Sequence, residues 1–119
     1  MIGVAMASAL GAVARYVLER AIRDRSRSAT PVGTIAVNVS GSLVLGFISG
    51  LALFHGLSPD LRAVVGTGFV GSYTTFSAFA YETSQLMGQQ RATAVRYVIV
   101  SVAGGLAASG LGLFLAGWR

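Results

Sequence analysis

The sequence is short of the residues that a soluble domain needs on its surface. Only 11% of its 119 residues are charged, whereas soluble domains carry roughly 25%. It has no cysteine, which excludes disulfides, thiol catalysis and cysteine-ligated metals. By contrast, 54% of the residues are hydrophobic and the mean hydropathy is +0.70. A chain this short with so few charges cannot cover a soluble surface, so we expect it to lie in a lipid bilayer.

Long apolar windows divide the sequence into four segments. Crossing a hydrocarbon core about 30 Å thick takes roughly 20 apolar residues. The windows are 1–18, 33–54, 61–87 and 92–118. The first is followed by arginines rather than preceded by them, which argues against a cleaved signal peptide. We therefore expect one all-α integral membrane domain over residues 1–119, with four transmembrane helices.

The charge is distributed unevenly between the two sides of such a domain. All nine basic residues are arginines, and seven lie in or beside loops one and three, against two in loop two and at the C-terminus. With Arg15 and Arg96 set aside as intramembrane, five remain against two. The positive-inside rule places loops one and three in the cytoplasm. No soluble domain remains to bind nucleic acid, so the arginines of loop one are either solvated or in contact with lipid headgroups.

The third window is too long and too polar for one uninterrupted helix. As a single helix, 61–87 would measure about 40 Å. Gly66, Gly68 and Gly71 are followed by hydroxyl residues, which predicts a break around 71–75. Breaks inside a membrane are tolerated where the freed backbone groups are buried or face a cavity, and they often mark ion sites. Freed carbonyls suit a hard cation such as Na⁺, and freed N–H groups suit an anion.

Small residues recur at every fourth position in three of the windows. Such spacing allows helix backbones to approach closely. Four helices of this size cannot enclose a hydrated pore alone, so an oligomer is expected, and a homodimer is the simplest case. The positions are Gly3, Ala7 and Gly11; Ser42, Gly46 and Gly50; and Gly104, Ala108 and Gly112.

A few polar or aromatic residues stand out within the apolar windows. Asn38, with Ser42 one turn on, serves either as an interhelical hydrogen-bonding group or as a donor to a permeating anion. Phe76 and Phe79 share a helix face, either as lipid-facing or core aromatics or as ring edges beside an anion. Tyr97 and Ser101 form a polar stripe in the fourth window. Arg15 and Glu82 are ionisable groups with either a functional role or a place at the polar boundary.

No enzymatic motif is present. Gly66 to Gly71 matches G-x-G-x-x-G, but the strand and acidic residue of a dinucleotide site are absent. His55 is the only histidine and has no sequence context for metal binding or catalysis. We expect no enzyme activity.

Two long motifs resemble the Fluc (CrcB) family of fluoride channels. GTIAVNVSGSLVLGF matches its second-helix pattern, G-T-x-x-x-N-x-x-G-S, and GFVGSYTTFSAFAYE matches its third-helix pattern, G-x-T-T-F-S-x-F. GAVARY resembles the first-helix arginine motif of the family. The resemblance implies a dual-topology antiparallel homodimer, or a pair of oppositely inserted homologues, in the cell (inner or plasma) membrane. It also implies a structural Na⁺ at the dimer interface, held by the backbone carbonyls of Gly71 and Thr74.

The same resemblance assigns roles to individual side chains and a function to the whole. The function would be passive, selective export of F⁻ from the cytoplasm, which lowers fluoride toxicity. In one respect the chain departs from the family pattern: Gly105 stands where the fourth-helix polar stripe would continue with serine. The fluoride pore would be lined by Asn38, Phe76, Phe79, Thr75, Ser77, Tyr97 and Ser101, with Arg15 in the vestibule.

Two alternatives belong to other functional classes. A small dual-topology multidrug or cation transporter usually needs a carboxylate near the centre of its first span. Here Glu19 lies past the end of the window 1–18. A non-transporting membrane assembly subunit would show no ion flux and no sensitivity to changes at Asn38 or Phe76.

Overall fold

A computed structural model describes residues 2–25 and 31–117, which contain helices and no strand. The expectations for Arg27, Trp118 and Arg119 lie outside the described residues. The all-α prediction is confirmed for the described part of the chain. The elements are α1 (Ile2–Arg25), α2 (Val32–Phe54), α3 (Pro59–Arg62), a π-helical stretch (Ala63–Val70), α4 (Gly71–Tyr73), α5 (Ser77–Gln89) and α6 (Arg91–Gly117).

In the described part of the chain, three helices, α1, α2 and α6, are long and apolar enough to cross a membrane. Helix α1 continues past residue 18 to Arg25, since nothing in its sequence breaks the helix and Arg23 and Arg25 favour its C-terminal end. Glu19 therefore lies on this helix, whereas the sequence placed it beyond the first span. Three such helices make the chain a multi-pass membrane protein.

The third window is interrupted, at Thr74 to Phe76. Thr74 is extended, with φ −80° and ψ 159°. The predicted break at 71–75 began too early, because the Gly71 N–H still bonds back to the Gly66 carbonyl and Gly71 to Tyr73 remain helical. On the other side of the break, α5 has 13 residues, about 20 Å of helix, which is shorter than the hydrocarbon core.

Helices α2 and α6 approach each other closely and run parallel. Ser42 lies opposite Gly105, Gly46 meets the backbone of Ser109, and Gly50 meets that of Leu113, so one offset holds along the contact. A side chain at Gly46 would collide with the Ser109 carbonyl. The small-residue spacing predicted this kind of approach. It places the polar residues of the two helices side by side.

Helix α1 packs against the π-helical stretch in a similar way. A side chain at Gly11 would collide with the Phe69 carbonyl, and one at Gly68 would lie 2.9 Å from the Val4 carbonyl. π-Helical turns are rare and are often found next to functional sites. Here the π-helical stretch leads, through α4, into the break.

Candidate ion site at the helix break

The break is held open by one side chain of α2. Asn38 donates from Nδ2 to the Thr75 carbonyl and accepts from the Thr75 N–H at Oδ1, both at 2.9 Å. These two bonds replace the helix ladder at Thr75 and satisfy an amide that is costly to bury otherwise. Because the Thr75 N–H donates to Asn38, it does not donate to the Gly71 carbonyl, which is its normal partner in an α-helix.

The chain before the break fits against a notch in α2. Gly41 provides the space, since a side chain there would collide with Thr74. The Thr74 hydroxyl bonds to the Val70 carbonyl at 3.0 Å, and the Tyr73 hydroxyl lies 2.9 Å from Ser40 Oγ. The contacts with Ser40 and Gly41 attach the chain before the break to α2.

After the break, α5 begins with hydroxyl groups at its positive end. Thr75 Oγ1 accepts a hydrogen bond from the Ala78 N–H at 3.2 Å and lies 3.4 Å from Ser77 Oγ. The negative C-terminal end of α4 and the positive N-terminal end of α5 thus meet around Thr75. Such a junction offers carbonyls to a cation and N–H groups to an anion.

Two cavities share Thr75 as a lining residue. The first has a volume of about 250 Å³, and the second, towards α1, about 370 Å³. Thr75 is buried and lines both of them. The first is lined by Asn38, Gly41, Ser42, Leu45, Thr74, Thr75, Phe76 and Phe79. The second is lined by Arg15, Glu19, Thr75, Ser77, Ala78 and Tyr81.

A chain of aromatic rings leads from the break to α6. The Phe76 and Phe79 ring centroids are 6.0 Å apart, and those of Phe79 and Tyr97 are 5.1 Å apart, both pairs tilted. Tyr97 is fully buried and donates from its hydroxyl to Glu82 Oε1 at 3.0 Å. Phe76, by contrast, is 78% exposed in the single chain.

The interface of α2 and α6 carries a line of polar groups. Thr34 is 3% exposed, bonds to Glu19 at 3.4 Å and also neighbours the Tyr97 hydroxyl. The parallel offset places Ser101 at the level of Asn38. Ser101 Oγ is buried and has no hydrogen-bond partner among the described residues. A buried hydroxyl without a partner lowers the stability of the folded protein by about 1–3 kcal/mol, so we expect a ligand or a water molecule to bind to this group.

The predicted site residues thus divide into groups. Asn38, Thr74, Thr75, Phe76 and Phe79 meet in the first cavity. The second cavity brings together Arg15 and Ser77. Tyr97 and Ser101 lie in the α2–α6 interface, and Gly71 is exposed beside the break.

Thr34 was not among the predicted site residues. It lies one helical turn before Asn38 and two before Ser42, so the spacing of the three residues would have placed them on one face. Its neighbour Glu19 was assigned to no site, because the first helix was expected to end before it.

These features define a class: a multi-pass helical membrane protein whose polar groups gather around a helix break in an apolar domain. Residues 2–113 match the family model described as CrcB-like protein, Camphor Resistance (CrcB). The chain belongs to the CrcB family, as the sequence motifs indicated.

Curated relatives are similar over nearly the whole chain. Fluoride-specific ion channel FluC 1 of Leifsonia xyli subsp. xyli is 48% identical over 118 residues, 98% of this chain and 86% of that protein. Fluoride-specific ion channel FluC 2 of Rhodococcus jostii is 48% identical over 113 residues, 94% of each chain. The protein of the same name from Mycobacterium bovis is 41% identical over 116 residues, 97% of this chain and 89% of that protein.

Proposed function

We propose that this protein is a passive, fluoride-selective channel that exports F⁻ and lowers fluoride toxicity. Its close relatives are named fluoride-specific ion channels, and it is a transport protein rather than an enzyme. The observation that carries the proposal is the buried polar line along α2 and α6, with an unpartnered hydroxyl at Ser101, beside a helix break lined by phenylalanines.

Selectivity for fluoride follows from the kind of donors along this line. Fluoride is small and strongly hydrated, so a selective pore must replace its water at close range. The second Nδ2 hydrogen of Asn38 and the hydroxyl of Ser101 are such donors, whereas the Tyr97 hydroxyl already donates to Glu82. The electropositive ring edges of Phe76 and Phe79 add a weaker attraction.

The second cavity serves as the vestibule of the pathway. Arg15 lines it and attracts anions, Ser77 lines it too, and Thr75 lines both this cavity and the first one. Glu19 also lines this cavity, so its carboxylate moderates the positive potential of Arg15. Anions that collect beside Arg15 therefore reach Thr75 before the aromatic pair.

A structural Na⁺ fits the carbonyls at the break. The Gly71 carbonyl has lost its α-helical donor to Asn38, and Gly71 lies on an open face of the chain. Carbonyl oxygens suit a hard cation. Gly71 and Thr74 would hold the Na⁺ through their backbone oxygens, and its charge would stabilise the negative helix end there.

The parallel course of α2 and α6 supports a four-span topology. If both cross the membrane in the same direction, residues 59–89 must cross it in the opposite direction, as two short helices joined at the break. α1 then completes the four spans.

Backbone at such a break cannot face lipid. The exposed faces of Gly71 and Phe76 therefore need a cover, and a second copy of the chain in antiparallel orientation provides one. The partner is a second copy of this chain or a homologue inserted in the opposite orientation.

Fluoride efflux from liposomes that contain only this protein tests the proposal. A fluoride electrode should record rapid efflux of F⁻, with no loss of Cl⁻ in parallel samples. Well-folded protein without F⁻ efflux, also after addition of an oppositely inserted homologue, would contradict the proposal.

One observation favours a second candidate, the cation or multidrug transporter. Glu19 lies on α1 and bonds to Thr34, so the first helix does carry a carboxylate, although near its C-terminal end rather than at its centre. Proton-driven uptake of an organic cation by the same liposomes, lost in Glu19→Gln, would establish that candidate instead.

A further inference from the structure

The polar line on α6 has a gap at Gly105. The residues that face α2 at every fourth position are Tyr97, Ser101, Gly105 and Ser109, so a hydroxyl is present at every level except one. Without a hydroxyl at that level, Ser101 and Ser109 are eight residues apart, which is about 12 Å of helix without a donor between them.

Ser42 of α2 lies directly opposite this gap. A Cβ atom on Gly105 would be 3.5 Å from Ser42 Oγ, within ordinary contact distance. Ser42 also lines the 250 Å³ cavity together with Asn38 and Phe76. Its hydroxyl forms no hydrogen bond among the described residues, although its carbonyl accepts from Ser109 Oγ at 3.4 Å.

We infer that the Ser42 hydroxyl is the fluoride donor at the level of Gly105, so that the pathway crosses from α6 to α2 for one turn. Ser42 lines the cavity, and its hydroxyl oxygen lies opposite Gly105, which has no side chain to cover it. The next hydroxyl, that of Ser109, is fixed by the carbonyl of the same Ser42. This inference rests on the proposed channel function and adds a specific residue to it.

The hydroxyl can be moved from one helix to the other, which makes the inference testable. Ser42→Ala should reduce F⁻ efflux about tenfold, the size expected for one lost hydrogen bond to a charged group. Adding Gly105→Ser to Ser42→Ala should restore efflux to within about threefold of the unmodified protein, because the new Oγ enters the space opposite residue 42. Dimer content by size exclusion and thermal stability are measured for each variant.

Ser49→Ala is the matched control. Ser49 is a half-buried serine of the same helix, but it lines a different cavity beside Arg62, and its loss should leave efflux unchanged. Unmodified protein that conducts no fluoride would contradict the channel function itself. If the unmodified protein conducts, an unchanged rate in Ser42→Ala would overturn the role of Ser42 alone. Loss in Ser42→Ala without recovery in the folded double variant would also overturn it.

Discussion

At the residue scale, Asn38 has two tasks. Its oxygen and one of its N–H groups hold the Thr75 backbone, and this leaves a single N–H for an ion. From the sequence alone, this amide was either an interhelical hydrogen-bonding group or a pore donor. The structure shows the first role directly, and the second remains part of the proposed function. The amide cannot be replaced by a group that lacks either the donor or the acceptor.

Asn38→Asp should abolish fluoride efflux. The carboxylate still accepts from the Thr75 N–H, but it cannot donate to the Thr75 carbonyl, and it puts a negative charge on the path of an anion. We expect a loss of at least about 100-fold in liposome efflux, since both effects oppose conduction. Gln89→Glu makes the same chemical change at an exposed position and should conduct normally. Normal efflux from Asn38→Asp would remove Asn38 from the pathway.

Phe76→Ile should reduce fluoride efflux while the assembly remains intact. Isoleucine keeps the apolar surface but lacks the ring edge and the 6.0 Å contact with Phe79. We expect about a tenfold decrease, which corresponds to roughly 1.4 kcal/mol, measured with the fluoride electrode. Phe54→Ile, at an exposed aromatic near the end of α2, serves as the control. Equal rates for the two variants would show that the Phe76 ring is only lipid-facing.

At the element scale, the glycines of α2 and α6 determine how close the polar residues come. Gly46 and Gly112 each contact the backbone of the other helix, and no side chain would fit between them. The resulting parallel interface brings Thr34 to Tyr97 and Ser42 to Gly105. A wider spacing would leave the hydroxyls too far apart to bind one ion.

Gly112→Ala should destabilise the protein. The new methyl group would collide with the Leu43 carbonyl and approach the Phe47 nitrogen at 2.7 Å, so the helices must separate. We expect a loss of about 1–3 kcal/mol, the usual cost of overpacking, seen as a lower melting temperature in detergent. Gly110→Ala is on the same helix with no atom of the described residues within 4 Å of its new methyl, so it should be neutral or slightly stabilising. Equal melting temperatures for both would contradict the close approach.

The elements also show what sequence could and could not predict. Apolar windows and small-residue spacing gave α2 and α6 within a residue or so of their observed ends. The break was expected at 71–75 because glycines weaken helices, but its position depends on Asn38, which is 37 residues away from Thr75. Helix propensity depends on neighbouring residues only, so it cannot predict a contact between residues this far apart in the sequence. The place of Thr34 could have been predicted, since it shares a helix face with Asn38. The pairing of Ser42 with Gly105 could not, because it depends on how two helices are aligned with each other.

At the scale of the whole molecule, the open question is how the chain is inserted. A single chain leaves Gly71 and Phe76 exposed at the break, and an antiparallel partner would cover both. An antiparallel homodimer requires half of the copies to insert in each direction. The arginine bias of five against two favours one direction, with loops one and three in the cytoplasm. The two expectations give different results in a single experiment.

Because the sequence has no cysteine, one introduced thiol reports orientation without background. Gln89→Cys places it at the exposed end of α5, in loop three. If the chain forms an antiparallel homodimer, a membrane-impermeant thiol reagent should label about half of the copies in intact cells, because insertion in both directions is equally frequent in such a dimer.

Asp60→Cys, at an exposed position of loop two, is the matched reporter for the opposite side. In an antiparallel homodimer the reagent should also label about half of the Asp60→Cys copies, namely those inserted in the other direction. Labelling of nearly all Asp60→Cys and almost no Gln89→Cys would show that the arginines fix one orientation. That result would exclude the homodimer and leave the pair of oppositely inserted homologues, because the carbonyls at the break would still need an antiparallel cover within the membrane.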